Sequence, residues 1–248
     1  MCKADHFSAV ATAYAAFRPN YPSELFDWLA SIVPSRRQAW DCAAGSGQAT
    51  IPLASRFEQI LATDISAAQL SSIPALPNIS TRVATAENSG LSDCSTDLVT
   101  VAQALHWFDQ PAFHSEVQRV LRPGGMIAVW GYSFLSVPIP VVQRLLDAFY
   151  ASSIGHYWPP ERVHVENGYR DLSFPYTRIK APAFDMRQRW TRDHLLGYLR
   201  SWSAVGRFHA DKGYDPVDAF AADIASHWAE EEVLTISWPL FLHVGRAE

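Results

Sequence analysis

The residues best placed to do chemistry together lie in the segment WDCAAGSGQAT (40–50) and at Asp64. An acid, Asp41, closes an apolar run, and Gly45 and Gly47 follow where a tight turn can bring the backbone close to a ligand. A second acid, Asp64, ends the next apolar run about 20 residues beyond the glycines, the separation of a mononucleotide-binding strand–helix–strand unit. A carboxylate there can accept from both hydroxyls of a ribose. What is missing narrows the ligand. The third glycine of a dinucleotide fingerprint would fall at Thr50, and no Gly-Lys-Ser/Thr string closes a phosphate loop. An adenosine without a pyrophosphate is expected, and S-adenosyl-L-methionine (AdoMet) fits, with its amino-acid part along the turn and its ribose on Asp64. Gly47 is then expected to be a glycine because backbone and cofactor approach there. An ordinary strand–turn–helix glycine pair beside a surface acid stays open on these residues alone.

Those positions need a sheet to hold them, and the first half of the chain supplies the elements. Ser23 reads as an N-cap for SELFDWLASIV, with Leu25, Phe26, Trp28, Leu29 and Ile32 as a buried stripe. A strand over 38–42 precedes the small-residue turn, and a helix over 48–56 accommodates Pro52 in its first turn. QILATDI carries a second strand to Asp64, and Ser66 caps the next helix. Strand signals recur at 80–84, 97–101 and 126–130, with a helix at 111–121 and an RPGG turn at 122–125. This alternation predicts an α/β fold, doubly wound around a mostly parallel sheet, with ligands at the carboxyl ends of the strands near the switch point. Beyond Gly131 the rhythm changes. Helices are expected over 141–151 and 193–205, with a Pro- and aromatic-rich stretch between them. VLTISWPLFLHVGRA reads as a broken or hairpin-forming pair of strands, with Pro239 limiting where it pairs. The expected organisation is one overall domain: a ligand-binding core with an N-terminal cover segment over 1–132, a helical and aromatic cap over 133–230, and strands returning to the sheet edge over 231–248.

Composition excludes several classes. The 248 residues are 48% hydrophobic and 18% charged, with a net charge of −5 and a pI near 6.0, against a nucleic-acid binder that works by phosphate neutralisation. Three scattered cysteines, Cys2, Cys42 and Cys94, form neither a disulfide scaffold nor a zinc site, so no metal is expected. No apolar run approaches the ~20 residues of a membrane span, and the N-terminus lacks a secretory pattern. A cytoplasmic address and a small-molecule substrate, with no nucleic acid and no membrane partner, are the expectation; oligomeric state is not legible.

The ordered motifs YAAFRPNYP (14–22), WDCAAGSGQAT (40–50), ATDIS (62–66), ATAENSGL (84–91), DLVTVAQALHWFD (97–109) and RVLRPGGMIAVWGY (119–132) resemble the class I AdoMet-dependent methyltransferases of the methyltransferase type 11 group. Within that class the chain is most similar to the small-molecule branch that includes trans-aconitate methyltransferase. GHYWPPER (155–162) and YLRSWSAV (198–205) look like that branch's cap. One departure stands out: the family's usual first glycine in the turn is Ala43. The resemblance implies a Rossmann-like, seven-stranded, mostly parallel sheet with a helical cap, and AdoMet as cofactor with S-adenosyl-L-homocysteine (AdoHcy) as product. It also implies roles for individual residues. Asp41 and the backbone of Ala43 to Gly47 would meet the amino-acid end of AdoMet, Asp64 the ribose, and Ile65 the adenine face. Ala86 and Glu87 would address the adenine edge, Gln103 would lie near the sulfonium, and Tyr14 and Arg18 would fold over the cofactor.

Methyl transfer needs alignment and exclusion of water more than a nucleophilic side chain. His106, just past Gln103, reads either as a base for a hydroxyl or amine acceptor or as a structural histidine; an ionised carboxylate acceptor needs neither. Trp107, Trp130, Tyr132, Tyr157, Trp158 and Trp202 are the candidate walls of the acceptor pocket, although aromatic residues equally fill cores. Arg200 is the candidate cation for a carboxylate. The expected activity is O-methylation of a carboxylate or another small polar metabolite. The rival readings are an AdoMet-binding sensor or partner protein and a methyltransferase for neutral acceptors. An RNA or protein methyltransferase is disfavoured by the acidic pI and by ALHWF standing where N/D-P-P-Y/F would be.

Overall fold

In the computed structural model of the protein, residues 17–247 are described, so Tyr14 lies outside them. The first half alternates as expected: α1 (Ser23–Ile32), β1 (Gln38–Cys42), α2 (Thr50–Ala54), β2 (Gln59–Asp64), α3 (Ala67–Leu70), β3 (Ile79–Val83), β4 (Thr96–Ala102), α4 (Gln110–Val120) and β5 (Leu121–Tyr132). The second half adds α5 (Pro140–Ala148), α6 (Arg162–Glu166), β6 (Thr177–Ile179), β7 (Asp185–Trp190), α7 (Arg192–Arg200), α8 (Ser203–Lys212), α9 (Pro216–Ile224) and β8 (Leu234–Arg246).

The strands form one eight-stranded sheet in the order β3-β2-β1-β4-β5-β8-β6, with β7 pairing β8 off that path. β1 to β5 run parallel, and β8 is antiparallel to β5, β6 and β7. The chain moves outward from β1 to β3, then returns to add β4 on the other side of β1. That reversal opens the crevice between the ends of β1 and β4. Both faces of the sheet are covered, which is why β1 and β4 are buried almost end to end and read as continuous apolar runs. One face packs Phe26, Leu29, Leu53 and Trp130, and the other Val99, Val101, Phe113 and Val117.

Several local expectations change. Pro22 occupies the N-cap of α1 with no side-chain cap bond, and Ser23 is the first helical residue. The RPGG segment is absorbed into a long β5, across a register irregularity between Thr96 and Leu98. The helix expected over 193–205 breaks at Ser201 and Trp202 into α7 and α8. The C-terminal segment is one strand, not a hairpin: residues 234–239 pair β7 and residues 240–246 pair β5. Pro239 sits where one partner gives way to the other, and its carbonyl accepts from Ser133 N at 2.9 Å. A missing N–H costs least at such a handover.

Asp41 is the polar heart of the switch point. Its carboxylate is fully buried and accepts from Thr50 Oγ1 at 2.5 Å and Thr100 Oγ1 at 2.9 Å. It therefore ties β1 to the start of α2 and to β4, and its side chain is spent on structure, correcting the expectation that it meets the cofactor. Burial lifts its carboxyl from 3.8 to about 6, against the two threonine hydrogen bonds that favour the anion. An unfolded chain ionises the same acid at about 4. Between about pH 4 and 6 the folded protein thus keeps a proton the unfolded chain has lost, and stability falls as pH rises through that window. Asp41→Asn should lose this dependence, so urea denaturation should show wild type losing roughly 2–3 kcal/mol relative to the variant between pH 4 and 7. Parallel pH curves for the two proteins would show that Asp41 titrates normally.

Candidate cofactor and acceptor site

The turn after β1 and the acid after β2 form a single hydrogen-bonded unit. Gly45 N donates to one oxygen of Asp64 at 2.9 Å and Ser66 N to the other at 2.8 Å. The carboxylate keeps lone-pair capacity for a further donor. Burial raises this carboxyl above its ordinary range, partly offset by the backbone donors from Ser66, Gly45 and Ile65. Gly47 has φ +87°, and a Cβ there would stand 3.0 Å from Ile73 Cγ1. The turn's own conformation and Ile73 therefore account for this glycine. Ala43 holds φ 54°, a left-handed conformation that costs an L-residue about 1–2 kcal/mol. The alanine thus keeps the backbone shape that the family's usual glycine takes freely. Ile65, next to Asp64, leaves 49% of its surface exposed.

The loops after β3 and β4 complete this end of the sheet. Ala86 is buried, and Glu87 Oε1 accepts from Asp109 N at 3.0 Å, steadying the entry to α4. Gln103 has φ 58°; its amide donates to Tyr132 O at 3.2 Å, while its Oε1 is buried without a hydrogen-bond donor among the described residues. Arg18 crosses from the N-terminal segment, donating to the Tyr132 hydroxyl at 3.2 Å and Ser201 O at 3.3 Å, with Tyr198 beneath its guanidinium. The anchored acid with spare lone pairs, the exposed Ile65 and the donorless oxygen of Gln103 suit a ribose, an adenine face and a cationic or donor group.

Past Gln103, a 3-10 turn over Leu105–Trp107 carries His106, whose Nδ1 lies 2.8 Å from the Tyr169 hydroxyl. Burial first, then the charges of Arg162 and His164, push His106 down to about 3, so the ring is neutral. Trp107 stacks beside it at 4.6 Å. α6 packs on this turn and brings Arg162 with it. The guanidinium lies over Trp158 at 4.7 Å, and its Nε donates to the Tyr150 hydroxyl at 3.2 Å. Phe134, Tyr150, Trp158, Tyr198 and Trp202 form one ring cluster with centroids 4.5 to 6.3 Å apart.

The sequence-expected acceptor residues divide. Trp158 and Trp202 belong to this cluster, Tyr132 is joined to it through Arg18, and Trp107 lies at the His106 turn. Trp130 is fully buried against Tyr21 and Phe26, on the core face. Tyr157 turns away to donate to Asp211 at 2.6 Å and packs on Phe208 of α8. Arg200 is held on the surface by Asp215 at 2.6 Å and Asp218 at 2.8 Å, correcting its assignment as the pocket cation. Phe134, Tyr150, Arg162 and Tyr169 were not anticipated. The sequence signal for Arg162 is its place at the end of GHYWPPER, one of the two segments that look like the branch's cap.

A separate surface cavity of about 400 Å³ opens among Cys94, Arg122 and Ala247, at the amino end of β4 and β5. It is remote from the glycine turn and has none of these groups. Among the described residues there is no cluster of three metal-ligating side chains, and no helix is long and apolar enough to cross a membrane.

Comparison with known proteins agrees with this geometry. The methyltransferase domain family matches residues 40–129, from the end of β1 through β5. A solved structure from Anaeromyxobacter dehalogenans, provisionally assigned as a type II methyltransferase, is 41% identical with a TM-score of 0.86, covering 93% of this chain and 98% of that one. A Dictyostelium discoideum protein provisionally named a methyltransferase is 28% identical across 98% of this chain and 95% of its own. An uncharacterized methyltransferase from Mycobacterium tuberculosis is 40% identical over 126 residues, about half of each chain. YcgJ from Bacillus subtilis, 14% identical with a TM-score of 0.52 over 92% of this chain and 99% of that one, shares the fold. With a near-full-length relative at this identity, and with the glycine turn and ribose-type acid joined in one unit, the chain belongs to the class I AdoMet-dependent methyltransferases.

Proposed function

We propose that this methyltransferase acts on a small-molecule acceptor at oxygen, with a carboxylate as the methylated group. The observation that carries the reading is His106. This histidine, on the turn just past Gln103, has Nδ1 engaged by the Tyr169 hydroxyl and remains neutral down to about pH 3. A base that weak takes little share of a proton from an alcohol or ammonium acceptor, whereas a carboxylate is already an anion at neutral pH and needs no proton removed.

AdoMet supplies a methyl group on a sulfonium, activated for in-line displacement. The chain's own work is to bind and align. Asp64 would hold the ribose, Ile65 would lie against adenine, and Ala86 and Glu87 would meet its edge. The backbone of 43–47, with Gln103 and Arg18, would border the amino-acid and sulfonium end. The aromatic cluster would exclude water from a bound acceptor, which favours a reaction in which a cation and an anion lose their charges. The carboxylate reading also agrees with the similarity to the trans-aconitate methyltransferase branch.

Asp64→Ala removes two charge-assisted hydrogen bonds to the ribose, so calorimetric titration should find AdoMet and AdoHcy bound roughly tenfold to a hundredfold more weakly. An unchanged dissociation constant in the folded variant would take Asp64 out of the site. For His106→Gln, turnover should fall by less than about tenfold, and kcat/KM of wild type should show no limb near the ordinary histidine value of about 6.5. A loss on the order of a hundredfold, or a histidine limb in the wild-type profile, would restore His106 as a base and shift the reading to protonated acceptors.

A further inference from the structure

Tyr169 is aimed at His106 by unusual backbone. After α6 the chain takes two left-handed residues in succession, Gly168 at φ 61° and Tyr169 at φ 57°. Such a conformation is costly for a residue with a side chain and persists where surrounding contacts over-determine it. Those contacts are present. Tyr169 N donates to His164 O at 2.8 Å, His243 Nε2 lies 2.7 Å from Gly168 O, and Phe241 packs edge-on against the Tyr169 ring at 5.0 Å. The tyrosine is buried, and its hydroxyl ends 2.8 Å from His106 Nδ1.

The partners around these two atoms decide which one donates. The phenol oxygen also draws on the backbone N–H groups of His106 and Leu105. Those amides open the 3-10 turn and find no carbonyl within it. Burial holds the phenol un-ionised, well above its ordinary range, so the oxygen carries a proton. Among the described residues, His106 Nδ1 is the one acceptor that proton has. Were Nδ1 to carry the hydrogen instead, a buried hydroxyl would be left without an acceptor. The tautomer of a neutral imidazole is set by the bond its other nitrogen makes, and here Nδ1 is held as an acceptor.

We infer that Tyr169 is a positioning residue that fixes His106 as the tautomer with its hydrogen on Nε2, so that the ring offers the reaction a donor. The two ring nitrogens diverge, so Nε2 turns away from the buried phenol, and it has no partner among the described residues. His106 stands three residues past Gln103, on the loop leaving β4. An oxygen on an acceptor can take the Nε2–H through one lone pair and attack the methyl group through another. An attacking amine nitrogen has a single lone pair, which cannot serve both. The tautomer thus selects oxygen over nitrogen as the methylated atom. This extends the reaction-at-oxygen part of the proposed function and holds for an acid or an alcohol alike.

The test is the imidazole nitrogen spectrum of the full chain loaded with AdoHcy. Protein labelled with 15N at histidine is followed by long-range proton–nitrogen correlation from about pH 5 to 8, the span in which histidines titrate. The His106 signals are assigned by their loss in His106→Gln. Wild type should show a protonated, pyrrole-type Nε2 and an unprotonated, pyridine-type Nδ1 throughout. Tyr169→Phe keeps the ring and removes the O–H; its His106 should pass to a mixture of tautomers and take up a proton at higher pH than wild type. Tyr176→Phe is the control. It removes the hydroxyl that lies 2.9 Å from His114 Nδ1 in the same segment, and it should leave the His106 signals unchanged. Both variants should bind AdoHcy as wild type does. The wild-type spectrum reads the tautomer even where a variant fails to fold. A pyrrole-type Nδ1 in wild type would overturn the inference, as would Tyr169→Phe keeping the wild-type tautomer or Tyr176→Phe moving His106 equally. Each of these leaves the carboxylate reading standing, since that reading needs only a neutral ring. Wild-type His106 titrating near its ordinary value of about 6.5 would overturn both. Label from AdoMet transferred by wild type into a small-molecule extract should be recovered on oxygen. Recovery on nitrogen would overturn the selection of oxygen, and the proposed function with it, even with the tautomer as assigned.

Discussion

The hydrogen bond from Gly45 N to Asp64 is the constraint on which the cofactor end depends. It joins the turn leaving β1 to the end of β2, and Ser66 N holds the other oxygen of the same carboxylate. The acid is thereby fixed in orientation before any ligand arrives, which reduces the ordering a bound ribose must impose. It also explains why two distant sequence motifs form one site: parallel neighbours end at the same edge of the sheet, and the first turn must curl back over the second strand's terminus to satisfy its own N–H. Beneath this, Asp41 links β1, α2 and β4 through two threonines. Two carboxylates at consecutive strand ends therefore take different jobs, one buried for structure and one left with lone pairs for a ligand.

Two left-handed residues stand where the ligand would sit. Ala43 and Gln103 adopt left-handed backbone at the ends of β1 and β4, on either side of the switch point. Such conformations persist only where surrounding contacts over-determine them. Here the parallel ladder and the bond from Gln103 N to Trp130 O, 2.9 Å, hold the loops in place. The opposite wall is built differently, from rings. Arg18 links the N-terminal segment to Tyr132 and Ser201, and Arg162 links α6 to Tyr150 and Trp158. Arg18 thus lies over Tyr198 and Arg162 over Trp158, so each guanidinium packs on a ring of that wall.

The C-terminal strand makes the wall possible. β8 pairs β5 with one half and β7 with the other, so the chain that left the sheet after Tyr132 is drawn back beside it. Trp238 then packs on Tyr132, Trp190 and Tyr198, binding the helices of the second half to the end of β5.

What the sequence determined by itself is the part governed by short-range rules. Alternating strand and helix signals specify a doubly wound sheet, and the paired glycines with the acid one strand later point to an adenosine-type site, because each depends on contacts within one strand–helix–strand unit. The Ser66 cap, the Pro52 first turn and the boundaries of β1 follow for the same reason. Tertiary structure decided the rest. Asp41 and Asp64 both close strands, and only the arrival of Thr50 and Thr100 makes the first a buried structural acid. Arg200 and Arg162 are both arginines in cap-like motifs. Asp215 and Asp218, on the approach to and first turn of α9, take up one, while the other packs from α6 on Trp158 and donates to Tyr150. Trp130 and Trp158 are alike as residues, yet one faces α1 in the core and the other lies under a guanidinium. Roles such as those of Asp41 and Trp130 depend on partners far along the chain, Thr100 and Tyr21 among them, and no local pattern carries that information.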